Sequence, residues 1–390
     1  MSEWQTKRLG DVLKLNYGKS LSVKNRIEGA IPVYGSNGIV GFHNKPIVDK
    51  PGLVVGRKGS AGEVHYSRGP FCPIDTTFYV TEDDAPETNL EFLFYLLRHV
   101  DLKRITGDVG VPGLNREMAY MEPVRLPAAL PEQKKIAHIL STVQRAIEAQ
   151  EQIIQTTNEL KKALMHKLFT EGLRNEGQKQ TEIGPVPKSW ELVEIGDLGQ
   201  CVTGSTPKTK VASFYDPPSE DFIAPADLGA RRYVYDSEKK ISPEGMATIR
   251  PLPKNAVMCV CIGSSIGKVG MSYREESATN QQINSIICKK GRDPEFVYYL
   301  LSYHWEYWKS FATFGPVPIL SKGRFATIVV AIPSSVEEQQ AIAMPLIALE
   351  TKVEVAEKKV APLKDLFRTL LHELMTAKTR VHGLELPLPS

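Results

Sequence analysis

LPAALPEQKKIA, from Leu126 to Ala137, and IPSSVEEQQAIA, from Ile332 to Ala343, are two versions of one segment, and their match decides the architecture. The register between them holds without a gap through Leu140/Leu346, Leu160/Leu366, Leu164/Leu370, His166/His372, Leu168/Leu374, Thr170/Thr376 and Arg174/Arg380. So long an ungapped match marks an internal repeat. Upstream the register drifts, as expected when globular parts diverge by insertion while helices keep their length. FLFYLL from Phe92 pairs with FVYYLL from Phe296, Ser60 and Gly62 with Ser265 and Gly267, and Trp4, Leu9, Gly10, Asp11 and Gly18 with Trp190, Ile195, Gly196, Asp197 and Gly204. The second copy carries an insertion between Gly204 and Gly263, around PKTKVASFYDPPSED.

Downstream of each matched segment the apolar residues recur in alternating steps of four and three, the seam of a coiled coil. In the first copy the seam runs Ile136, Leu140, Val143, Ile147, Gln150, Ile154, Thr157, Lys161, Leu164 and Leu168. In the second it runs Ile342, Leu346, Leu349, Val353, Ala356, Val360, Leu363, Phe367, Leu370 and Leu374, all apolar. Each stripe needs a partner, and the other copy is the obvious one; the alternative is two separate helices, each packed on its own domain. Pro345 and Pro362 each remove an amide donor, so a kink or break is expected at one or both. In the globular parts, GLVVGRKGSAGEVHY from Gly52 and AVMCVCIGSSIGKVGMSY from Ala256 read as strands flanking a glycine turn. FLFYLL and FVYYLL read as buried helix segments. The predicted fold is α+β: a first domain over 1–125, a long helix over 126–172, a Gly- and Pro-rich linker over 173–188, a second domain over 189–331 and a second helix over 332–380, the helices packing as an antiparallel coiled coil.

Composition narrows the function classes. A chain of 390 residues with 42% hydrophobic and 24% charged side chains is an ordinary globular protein, long enough for two cores. The net charge is only +3, so a nucleic-acid surface must be local. MSEWQTKRLG lacks the apolar core of a signal peptide, and no run approaches the ~18 apolar residues of a membrane span. Cys72, Cys201, Cys259, Cys261 and Cys288 form no C-x-x-C pair, which suits a reducing cytoplasm and packing rather than zinc. The histidines show no H-E-x-x-H spacing, and no metal site is expected.

Taken together, W-x-x-x-x-[LI]-G-D at Trp4–Asp11 and Trp190–Asp197, ATNQQINSII from Ala278, P-x-x-x-[PE]-E-Q opening both helices, and one helix after each domain resemble the specificity subunit of a type I restriction and modification system. The resemblance covers the whole chain. It implies two target recognition domains held apart by two antiparallel helices, and recognition of a split, asymmetric sequence in double-stranded DNA. It also implies docking of two modification subunits, which methylate adenine with S-adenosylmethionine, and of restriction subunits in the full enzyme; this chain would hold no cofactor. One departure is that Cys72-Pro73-Ile74-Asp75-Thr76-Thr77 stands where the second domain has Thr279-Asn280-Gln281-Gln282-Ile283-Asn284.

Two rival readings have distinct requirements. A methyltransferase needs an aromatic residue after Asp216-Pro217-Pro218, where Ser219 stands, and a Gly-rich cofactor loop that is not found. Gly18-Lys19-Ser20 lacks the first glycine of a phosphate-binding loop, with Leu13 in its place. An adaptor whose domains bind protein is the other rival. For a DNA reader, Arg, Lys and side-chain amides on loops are the candidates, because they match base edges and phosphates. In the first domain these are Tyr34, Ser36, Asn37 and His43 in one loop, Arg57, Lys58 and Ser60 in the glycine turn, and Asn115 and Arg116 in a third. In the second they are Lys208, Lys210, Arg231 and Arg232 around the insertion, Ser264, Ser265 and Lys268, then Asn280, Gln281 and Gln282, and finally Lys322 and Arg324. Asn280, Gln281 and Gln282 also read as amides that hold the fold together.

Overall fold

A computed structural model describes residues 3–105, 113–313 and 315–385. The chain separates into two compact units, residues 1–152 with 356–390 and residues 153–355. Each long helix therefore contributes one part to each unit. The helices run Leu130–Glu171 and Val336–Met375, and all ten seam positions of each are buried or partly buried, while Gln155, Lys162, Ala341 and Lys358 between them are exposed.

The two units are built alike. In the first, the strand Trp4–Arg8 pairs antiparallel with Pro123–Pro127, immediately before the first long helix. In the second, Glu191–Glu194 pairs with Val329–Ile332, immediately before the second long helix. The first unit's main sheet has the order Asn16–Tyr17, Thr77–Thr81, Gly52–Gly56, Val64–Ser67. The second repeats it as Gly199–Thr203, Ile283–Cys288, Val257–Val260, Val269–Ser272 and adds Tyr233–Val234 at the edge, in parallel with Val269–Ser272. That fifth strand comes from the inserted segment, so the insertion widens the sheet and leaves the inherited pairing intact. The divergent hexapeptides also occupy one structural place. Cys72–Pro73 and Ala278–Thr279 each make a two-residue parallel pairing, with Val33–Tyr34 and Phe222–Ile223, before the chain turns back into the main sheet.

FLFYLL and FVYYLL lie in the helices Leu90–Val100 and Pro294–Tyr303, with Phe92, Leu96, Leu97, Phe296, Leu300 and Leu301 fully buried. Each is capped by a side chain, Asn89 accepting from the Phe92 amide and Asp293 from the Phe296 amide, which satisfies a donor the helix cannot satisfy itself. The E-Q pair of the repeat ties this cap to the long helix. Gln133 accepts from the Asn89 amide at 2.8 Å and donates to the Pro127 carbonyl at 2.9 Å. Gln339 does the same with the Asp293 amide at 2.9 Å and the Pro333 carbonyl at 3.0 Å. The tryptophans that open the copies donate to the glutamates beside them, Trp4 to Glu132 and Trp190 to Glu338, both at 3.4 Å. The shared motifs are thus a structural clasp. Gln339→Ala should leave two main-chain groups unpaired, at about 1 to 3 kcal/mol each. Denaturant unfolding should show that loss, and no loss for the exposed neighbour in Gln340→Ala.

Each unit's core includes the start of one long helix and the end of the other. Ile136, Leu140 and Ile147 join Phe367, Leu374 and Met375 in the first unit; Leu168 and Phe169 join Ile342 and Leu346 in the second. Ion pairs follow the same order: Arg380 with Glu132 at 3.0 Å and Lys364 with Glu151 at 2.7 Å in the first unit, Lys161 with Glu350 at 3.3 Å in the second. Partners descend along one helix as they ascend the other, which is antiparallel packing. Separate helices, each on its own domain, are not what forms.

The expectation of a break at Pro345 or Pro362 is corrected: the helix is continuous from Val336 to Met375. The carbonyls left without an amide donor belong to Ala341 and Lys358, both exposed, so water reaches them, while the buried seam on the other face holds the helix in place. The segment read as a linker contains the hairpin Gln178–Thr181 with Gly184–Pro187, anchored by the fully buried Val186.

Candidate nucleic-acid interface

In the first unit, loops distant in sequence meet around one main-chain carbonyl. Thr76 accepts from the Arg57 amide at 2.9 Å, the Lys58 amide at 3.1 Å and the Ser36 hydroxyl at 2.6 Å. Lys58 bridges to Gly113, and the Leu114 amide donates to the Arg57 carbonyl at 2.9 Å, which brings in Asn115 and Arg116. The glycine turn closes through Gly62 donating to Gly56, with φ of +82° at Gly62, where a Cβ would stand 2.5 Å from the Lys103 nitrogen. Only glycine fits there.

The second unit repeats the arrangement. Ile262 bridges to Ile319, the Leu320 amide donates to the Cys261 carbonyl, and the Gly263 amide donates to the Pro318 carbonyl at 3.0 Å. The Cys261 amide donates to the Gln282 carbonyl, so the Asn280–Gln282 turn joins the same face. Thr206 donates to Gln281 at 2.7 Å, bringing the exposed Lys208 and Lys210 segment alongside. Ser264, Ser265, Asn280 and Gln282 line a cleft of about 420 Å³ with Lys239 and Glu238. A second cleft of about 500 Å³, with Lys268, Trp305 and Lys309, borders the other side of the loop.

The sequence candidates separate by placement. Exposed and free of the core are Asn37 at a hairpin tip, Lys58, Ser264, Gln281, Lys322 and Arg324. Ser60, Ser265 and Lys268 are half-buried, Lys268 donating to the Pro225 carbonyl at 3.1 Å. Asn115 is exposed, but its side-chain oxygen caps the helix Arg116–Met121 by accepting from Glu117 and Met118, as Ser321 caps Lys322–Ala326. Asn280 and Gln282 bond to each other at 3.0 Å and shape their turn, the fold-holding role that was the alternative for them.

Several candidates are engaged within the fold. Tyr34 lies on a strand, 8% exposed and edge-on to Phe71, and Ser36 is buried with its hydroxyl on Thr76. His43 ends the hairpin's second strand and accepts from the Ile27 amide. Arg232 is 9% exposed and paired with Glu295 at 3.2 Å and Glu350 at 3.7 Å, whereas Arg231 beside it faces outward. In sequence, adjacent arginines look equivalent; only packing distinguishes the one that meets two carboxylates. The amides of Arg57, Lys58, Ala61 and Gly62 in the glycine turn are committed to internal carbonyls.

One residue of the face carried no signal in sequence. Tyr17, on a two-residue strand, is 52% exposed, with the Arg57 guanidinium 5.4 Å and the Arg116 guanidinium 5.2 Å from its ring centre. Elsewhere, burial pushes the Cys261 thiol up to about 12 and pulls His304 down to about 4, so both are neutral packing groups. Among the described residues no group of three His, Cys, Asp or Glu is placed to hold a metal, and no helix is long and apolar enough to cross a membrane.

Comparison with known proteins identifies the repeated unit. Residues 1–159 and 187–364 match the family described as type I restriction modification DNA specificity domain. The chain is 26% identical over 410 aligned positions to the type I restriction enzyme MjaVIII specificity subunit of Methanocaldococcus jannaschii, covering 98% of this chain and 94% of that one. It is 29% identical to the putative type I restriction enzyme MjaX specificity subunit of the same organism, over 74% of this chain and 68% of that one. Among solved structures, the type I restriction-modification S subunit from M. genitalium superposes with a TM-score of 0.72 at 18% identity, covering 96% of each chain, which shows a shared fold.

Proposed function

The chain belongs to the type I restriction modification DNA specificity family, and from that premise we propose that it is the sequence-reading subunit of a modification and restriction complex. Each domain reads one half of a split site in double-stranded DNA, and the paired helices set the spacing between the halves. The observation that carries this reading is the equivalent convergence of loops in both units, around Thr76 and around Gln282, on domains made from one repeated sequence. The same loops bear the exposed Lys58, Lys322 and Arg324, residue types that reach phosphates and base edges. The outer faces of the helices dock two modification subunits, and the full complex adds restriction subunits. S-adenosylmethionine is used by the modification subunit, not by this chain, which performs no catalytic step of its own. The free, mostly buried cysteines suit a cytoplasmic complex working on DNA.

Replacing residues 1–125 with the corresponding domain of a relative tests this reading. Adenine methylation mapped across the genome should then change in one half-site and keep the other. If both halves change, or neither does, independent reading by the two domains is wrong. Tight binding of S-adenosylmethionine to the purified chain, measured by calorimetry, would count against its non-catalytic role.

A further inference from the structure

We propose that Tyr17, Arg57 and Arg116 form a guanine-reading cluster in the first domain, an inference that rests on the DNA-recognition function above. Tyr17 is half exposed and packs on the buried Phe78, with ring centres 5.0 Å apart. Two guanidinium groups lie over an aromatic face that does not need them for burial. Arg57 comes from the glycine turn and Arg116 from the short helix beyond Asn115, so separate loops deliver the same functional group to one ring. Each guanidinium is oriented by further bonds. Arg57 donates through Nε and Nη2 to the Asp75 carbonyl at 3.2 and 2.5 Å, and Arg116 through Nε and Nη2 to Glu117 at 3.3 Å.

A guanidinium carries five N–H donors, and in both arginines these bonds take Nε and one N–H of Nη2, so that the end-on edge, one N–H of Nη1 beside the second N–H of Nη2, is left without another partner among the described residues. The uncommitted donors form a planar fork, the shape that meets the O6 and N7 acceptors of guanine in the major groove. Adenine presents a donor beside its N7 and repels such a fork. Phosphate accepts from arginine in many orientations and needs no fixed fork. Holding two arginines against a ring lowers the rotamer entropy lost on contact, an investment that base discrimination requires and charge neutralisation does not. The Arg116–Glu117 pair is exposed and worth little, so a base edge can displace the carboxylate. The second domain has Thr203, Cys261 and Lys322 at the structurally matching positions, so this cluster belongs to the first half-site alone.

The test is selection by the full chain, with its modification partner, from duplexes randomised in the first half-site at one salt concentration. The wild type should select guanine at one position or more of that half-site. Arg57→Lys, which keeps the charge and loses the fork, should lower the guanine preference by about 5- to 100-fold. Tyr17→Leu should lower it as well, and Tyr17→Phe should keep it, with the second half-site unchanged in every variant. A first half-site without guanine overturns the proposal. So does an unaltered preference in both Arg57→Lys and Tyr17→Leu, or an equal weakening on all sequences with a salt slope lower by about one, the mark of a phosphate contact. If the wild type selects no sequence at all, the DNA-recognition function itself fails, and the cluster's role with it.

Discussion

Glu350→Ala should destabilise the second unit by roughly 3 to 5 kcal/mol, the range for removing one partner from a buried charge network. Glu350 is 8% exposed, accepts from the Tyr299 hydroxyl at 2.6 Å and lies 3.3 Å from Lys161 and 3.7 Å from Arg232. Arg232 also pairs with Glu295, whose carboxyl is pushed up by burial and pulled down by Arg232. Burial and the adjacent Glu350 hold the Tyr299 hydroxyl in its protonated, donating form. Without Glu350, the half-buried Lys161 loses its carboxylate partner and the buried Arg232 keeps Glu295 alone among the described residues. Trp190, Trp305 and Trp308 all lie in the second unit, so tryptophan fluorescence during urea unfolding reports mainly on it. A midpoint for Glu350→Ala equal to that of the wild type would show that the network contributes nothing. At the matching place in the first unit, Phe367 packs 6.0 Å from Tyr95, an apolar solution to the same junction. Lys161→Phe together with Glu350→Gln should therefore recover part of the loss.

A second large effect is expected from lengthening the helices. Four residues inserted after Thr157, with four more after Val353 where the second helix faces that turn, add about 6 Å to each rod. Over a DNA rise of about 3.4 Å per base pair, that is somewhat under two steps. The methylated sites should keep both half-site sequences and gain one or two base pairs between them, provided the seam re-registers. An active, folded variant that methylates at the original spacing would show that the helices are not the ruler, and would favour the adaptor reading.

Periodicity made both long helices legible, because a seam over ten positions has few alternatives, and the repeat made the second copy a check on the first. At the prolines no break forms, because the local loss of an amide donor is set against a buried stripe that only the folded pair supplies. Single-residue roles were less legible. Arg231 and Arg232 are chemically identical neighbours, yet one is exposed and the other is buried against Glu295 and Glu350. Tyr34 and Tyr17 are both tyrosines before a small residue, yet Tyr34 is in the core and Tyr17 on the surface.

By itself, then, the sequence determined the duplication, the helix and domain order, and the family, all properties of pattern that survive without knowledge of contacts. Tertiary structure alone decided that the E-Q and tryptophan motifs are clasps rather than sites, that loops around Thr76 and Gln282 form one face in each domain, and that Tyr17 meets Arg57 and Arg116. The reason is physical: burial and hydrogen-bond partnership depend on which residues meet across long separations in the chain, and side chains of one type take opposite roles according to what they meet.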